Sequence, residues 1–165
     1  MKSLLKRSGF LIGISALIAV NLVIQIVRFN SYTLFMKGLN LDVSVTALHK
    51  TATSVDVDFL FNLSTNEKDV HAFVSGIQFL LTIGKVDLGY HPIVGAQDMM
   101  GSFERGKFRY KTTINFSGDQ MVNLLKYLGK KKMSYKAYVE IHVVQGKNDM
   151  RSVPLFSGYV REAFK

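Results

Sequence analysis

The apolar and polar positions divide this chain at about residue 38. From Phe10 to Val27 it reads FLIGISALIAVNLVIQIV, eighteen residues without a charge. At 1.5 Å per residue such a helix is about 27 Å long, close to the roughly 30 Å hydrocarbon thickness of a bilayer. Beyond residue 38 the period falls from helical to two. Leu39, Leu41, Val43 and Val45 alternate with polar residues, and Val55, Val57, Phe59, Phe61 and Leu63 do so again. Each run predicts a half-buried strand.

The alternation continues along the chain. Val70 to Ile83 reads as one long strand in which Gly76 marks a bulge or bend. Gly84-Lys85 has the form of a tight hairpin turn into Val86–Tyr90, a strand expected to stop before Pro92. Ile93 to Ser102 lacks a period and reads as a loop. Phe108–Phe116 and Tyr135–Val143 alternate again, and a turn at Gln145–Asp149 leads to a last strand over Val153–Phe164, interrupted by Pro154 and Gly158. Between the last two alternating runs, Met121, Leu124, Leu125 and Leu128 give a helical stripe. Ser117 and Gln120 stand as a capping box, and Gly129 as the stop. Six or seven strands and one short helix predict a mostly β fold: an N-terminal transmembrane helix plus an antiparallel β-sandwich.

The expected organisation is a basic tail over 1–9, an anchor over 10–28, a connector over 29–38 and a sandwich over 39–165. Phe29, Tyr32 and Phe35 of the connector suit either the headgroup layer or the underside of the domain. A cleaved signal peptide shares the basic start and apolar middle, but no Ala-x-Ala site follows, and the run outlasts the usual h-region. The retained anchor is therefore favoured over a cleaved signal, and a buried helix of a soluble protein comes last, since little else in the chain is helical enough to wrap it. With no cysteine, lipoprotein processing, disulfides and thiolate sites are ruled out. Lys2, Lys6 and Arg7 before the span outweigh Arg28 and Lys37 after it, which places the N-terminus in the cytoplasm and the domain on the outer side.

Net charge is +9, and without Lys2, Lys6, Arg7 and Arg28 the remainder carries +5. That mild excess suits anionic lipid, envelope polyanions or plain solubility. Arg109 and Lys111, with Lys130, Lys131 and Lys132, read either as one anionic-surface contact or as solvated lysines favoured by a helix C-terminus. Within the anchor, Gly9, Gly13 and Ala16 make a small-residue face on which two helices could close into a homo-oligomer; the alternative is chance glycine. Asn21, Gln25 and Arg28 make a polar stripe near the exit, read as snorkelling towards the interface.

Candidate chemistry is sparse. His49, His71, His91 and His142 are widely spaced and share no ligand motif with carboxylates. Asp56 and Asp58 stand on one strand face, either as paired acids or as its wet side. No phosphate loop, nucleophile elbow or dinucleotide fingerprint is present. Asn62-Leu63-Ser64 and Asn115-Phe116-Ser117 match glycosylation sequons by pattern. No enzyme, metal, cofactor or nucleic-acid partner is expected.

Four passages resemble the type 2 late embryogenesis abundant proteins, which share the water-stress-and-hypersensitive-response domain. They are Leu39–Leu48 with Val55–Asn62, the glycine hairpin Phe79–Gly89 with Gly84 and Gly89, the helix and strand over Phe116–Leu128 and Tyr135–Val144, and the closing Ser157-Gly158-Tyr159-Val160. Where that family commonly has Pro after the Asn, this chain has Leu63. The resemblance implies a small sandwich, often behind a single anchor, without catalytic residues. The function expected is a structural or interaction module at a membrane or envelope surface, contacting the bilayer and a protein partner or an assembly such as a virion or secretion complex. A desiccation-protective protein and a lipid carrier are the alternatives.

Overall fold

The computed structural model describes residues 2–95, 99–145 and 148–162, with side chains from residue 13 onward except those of Gln145, Asn148 and Glu162. Gly9 and the basic side chains of Lys2, Lys6 and Arg7 therefore lie outside the described side chains. The first element, α1, runs over Lys2–Lys37 without a break. The connector is thus the last turns of the same helix. Within it, Gly13–Lys37 is long and apolar enough to cross a membrane, and none of its most apolar stretch is covered by the rest of the molecule.

Ten strands follow. They are β1 (Asn40–Lys50), β2 (Ser54–Ser64), β3 (Ala72–Ile83), β4 (Val86–Val94), β5 (Gly101–Ser102), β6 (Lys107–Ser117), β7 (Met133–Gln145), β8 (Asn148–Ser152), β9 (Leu155–Tyr159) and β10 (Arg161–Glu162); the helix α2 (Gly118–Tyr127) lies between β6 and β7. One sheet has the order β10-β1-β2-β6. The other has β4-β3-β7-β8, with β5 also on β3 and β9 also on β7. The two sheets enclose one core. Phe59 and Phe61 of β2 meet Phe79 of β3 edge-on, at 5.5 and 5.0 Å between ring centres. Phe79 faces Ala137 across the β3–β7 ladder, so a large side chain sits beside a small one. The sequence-predicted fold class holds: mostly β, two sheets, a short second helix and the long apolar first one.

Several local expectations are corrected. Pro92 does not end β4, which runs to Val94; β4 is an edge strand, so the missing N–H need not break a ladder. The predicted loop over Ile93–Ser102 contributes Ile93 and Val94 to β4 and Gly101–Ser102 to β5, while residues 96–98 lie outside the described set. The last strand is two: β9 pairs with β7, and the chain changes sheets at buried Val160 to run as β10 parallel to β1. Its expected end at Phe164 also falls outside the described residues. Gly76 does sit at a bulge, with Ser75 the extra residue against β7.

The helix stripe is as expected, with Leu124 fully buried and Met121, Leu125 and Leu128 packed on the core. Gly129 takes φ +75 just past the end. Ser117 is the N-cap, but its side chain makes no capping bond. Gly118 enters the helix at φ +53. Gln120 instead reaches over Gly89 of β4, where a Cβ would lie 2.4 Å from its amide nitrogen.

Candidate functional site

The outer face of the second sheet carries a groove of about 640 Å³, open along its length. Its polar floor comes from alternation on β7. Tyr138, Glu140 and His142 project outward while Ala137, Val139 and Ile141 fill the core. Antiparallel pairing with β8 brings Asp149 and Arg151 alongside, His142 pairing with Arg151 in register. Arg151 Nε donates to Glu140 Oε1 at 2.7 Å. His142 Nε2 lies 3.2 Å from the same oxygen, and its Nδ1 lies 2.9 Å from Asp149 Oδ2. Phe73 of β3 stacks on the imidazole, with ring centres 4.6 Å apart and planes 7° from parallel.

Burial pushes the Glu140 carboxyl up. The hydrogen bond from His142, then the charge and hydrogen bond of Arg151, and last the nearby Ser75 hydroxyl outweigh it and hold the group below the usual carboxylate range. Ser75 is buried and forms no well-aligned hydrogen bond of its own. Both ring nitrogens of His142 face carboxylates, and Glu140 is taken up by Arg151. The cluster is a hydrogen-bonded polar network, with its groups directed at one another. Around it stand exposed Tyr90, Pro92, Val94, Met99, Tyr138 and Val153. Such walls suit an extended apolar or aromatic segment.

The sequence reading missed this cluster. Glu140 and His142, two apart on one strand face, were its local trace; Asp149 and Arg151 arrive only through the β7–β8 register. The other three histidines stay apart. His49 is at the end of β1, His71 precedes β3, and His91 of β4 packs edge-on against Phe116 at 5.2 Å. Burial holds the His91 imidazole below its ordinary value, against the Leu88 carbonyl and Asp87. Among the described residues no three His, Asp or Glu are placed to hold a metal ion.

The five basic residues do not form one patch. Lys111 Nζ lies 2.9 Å from Asp58, whose carboxyl also accepts from Thr113 at 2.7 Å. The Thr113 bond first, then Lys111, hold that carboxyl below its usual range. Asp56 accepts from Asn115, so the two aspartates serve cross-strand pairs on the outward face of β2, with Asp58 itself buried beneath its partners. Arg109 lies eight residues, about 26 Å of strand, before the end of β6 from which α2 leaves. Lys130, Lys131 and Lys132 follow α2 at that far end. Lys131 Nζ sits 4.4 Å from the Tyr127 ring centre and Lys132 Nζ 5.3 Å from that of Tyr159. Of the small-residue face, Gly13 has open space where a Cβ would be, and Ala16 is exposed.

The junction of α1 and the sandwich is the other built feature. Phe35, on the last turns of α1, is fully buried and meets Phe103 edge-on at 5.2 Å. Tyr32 and Met36 pack beside it. The Thr65 hydroxyl donates to the Phe35 carbonyl at 3.3 Å, and Gly38 N–H to the Leu34 carbonyl at 2.9 Å. Lys107 and Arg109 stand exposed at this end, since Ser64, just before Thr65, pairs with Lys107.

No protein-family model matches the chain, and no curated protein matches it. Solved structures similar to it include a protein from Archaeoglobus fulgidus, at 12% identity over 73% of this chain and 93% of that one, with a TM-score of 0.35. Another is described as an ApaA candidate from Bordetella pertussis, at 9% identity over 78% and 98%, TM-score 0.46. A third is described as a candidate late embryogenesis abundant protein, at 12% identity over 73% and 70%, TM-score 0.33.

Proposed function

We propose that this chain is a membrane-anchored, non-enzymatic β-sandwich that serves as a structural and interaction module at a membrane surface, with its N-terminus cytoplasmic and its domain on the outer side. The observation that carries the reading is the junction. A helix with an uncovered apolar flank ends in Phe35, which is part of the sandwich core. Nothing described in this chain covers that flank, and a bilayer would. Exposed Lys107 and Arg109 at the anchor end suit anionic headgroups there. The groove over Glu140 and His142 is the surface proposed for a protein partner.

Membership of the late embryogenesis abundant type 2 group belongs to the same proposal. The glycines that carry the likeness have structural work here: Gly84 at φ +64 turns the β3–β4 hairpin, Gly89 at φ +103 lies under Gln120, and Gly158 lies under the Tyr135 ring. The lipid-carrier reading loses ground, because Phe59, Phe61, Phe79 and Tyr135 already fill the space between the sheets.

The test is extraction. The full chain should stay with membranes through an alkaline carbonate wash and leave them only with detergent. A single Thr53→Cys in the cysteine-free chain should react with an impermeant maleimide added to intact cells. Release by carbonate would overturn the anchor, and reaction only after lysis would reverse the orientation.

A further inference from the structure

We infer that α1 pairs with α1 of a second copy of this chain through the face centred on Asn21. The inference rests on the membrane-anchor reading. Asn21 lies six residues before Val27, about 9 Å below that end of the uncharged run, and eleven residues, about 16 Å, beyond Phe10. That is too deep for a short asparagine side chain to reach either headgroup layer, so the snorkelling expected of the Asn21, Gln25 and Arg28 stripe is kept here for Arg28 alone. Among the described residues its carboxamide has no hydrogen-bond partner, and it lies exposed in a shallow groove with Leu17, Ile18 and Leu22. In hydrocarbon an unpaired amide is costly, and the cost is relieved by another polar group at the same depth.

A second copy supplies that group by construction. Two chains inserted the same way and set side by side bring Asn21 level with Asn21, and a carboxamide both donates and accepts. Around the helix at 100° per residue, Ile14, Leu17, Ile18, Ile24 and Gln25 fall within about 60° of Asn21. They give an apolar seam with one further amide a turn nearer the surface. Arg28 shares this face but lies at the headgroup layer, where water screens like charges. The face is distinct from the small-residue one, since Gly13 and Ala16 are turned about 80° and 140° from Asn21 on the same 100° spacing.

The experiment uses the full chain in liposomes. Asn30→Cys, half a turn away from the seam, carries donor or acceptor dye, and energy transfer is followed as lipid is added. The unsubstituted chain should associate, and Asn21→Leu should weaken association about ten-fold, the order that one interhelical hydrogen bond in lipid supplies. Asn21→Gln should retain it, and Gly13→Ile should leave it unchanged. Loss of α1 pairing in Gly13→Ile with retention in Asn21→Leu would assign the contact to the small-residue face and overturn the inference. Energy transfer absent at every lipid ratio would overturn it while leaving the anchor standing; release of the chain by carbonate would remove both.

Discussion

Tyr135 shows how one atom ties the two sheets together. It comes from β7, is buried, and donates from its hydroxyl to the Leu41 carbonyl of β1 at 2.7 Å. Burial raises its pKa. The ring also lies over Gly158, where a Cβ would meet it at 3.2 Å. Tyr135→Phe keeps the shape and removes only the bond, so urea unfolding should show a loss of about 1 kcal/mol. An unchanged midpoint would mean that the bond adds nothing to joining the sheets.

At the scale of elements, two contacts decide how helices meet the sandwich. Phe35→Ala should remove an aromatic side chain from the core and cost about 3–5 kcal/mol. Unfolding of the full chain in detergent, followed by tyrosine circular dichroism because the chain has no tryptophan, measures it. A wild-type midpoint would show that α1 and the sandwich are independent. Gly89→Ala faces both φ +103 and the Gln120 amide, and should cost about 1–3 kcal/mol for the backbone alone. Adding Gln120→Ala should recover the part due to collision and leave the backbone part. The alternation of β2 and β6 was legible in sequence because each has one dry and one wet face. The helical continuation of α1 was not, because its apolar period passes from an uncovered flank to the core near Phe35 without a break in the backbone.

For the whole molecule, the response to acid follows from three groups. His91 titrates lower folded than unfolded, so its contribution is complete above its ordinary value of about 6.5 and is lost as pH falls through the folded value. Asp58 and Glu140 are also lowered, so their share is present above ordinary carboxylate values and is lost only in stronger acid. Thermal melting should therefore weaken in two stages on acidification, and His91→Gln should remove the first. A single stage in the unsubstituted chain would contradict the burial of His91. The polar network at Glu140 was invisible at this scale too, because its four members come from two strands joined by a register that apolar periodicity leaves open.

What the sequence determined by itself was the set of elements whose burial is one-sided: the apolar span, the alternating strands and the stripe of α2. The surroundings act on each of these locally, so the pattern is enough. Tertiary structure alone decided which strands share a sheet, the change of sheet at Val160, the seating of Phe35 and the company kept by His142. Those depend on contacts between residues far apart in the chain, and pairing free energy between strands is set by register and packing, which no single segment encodes.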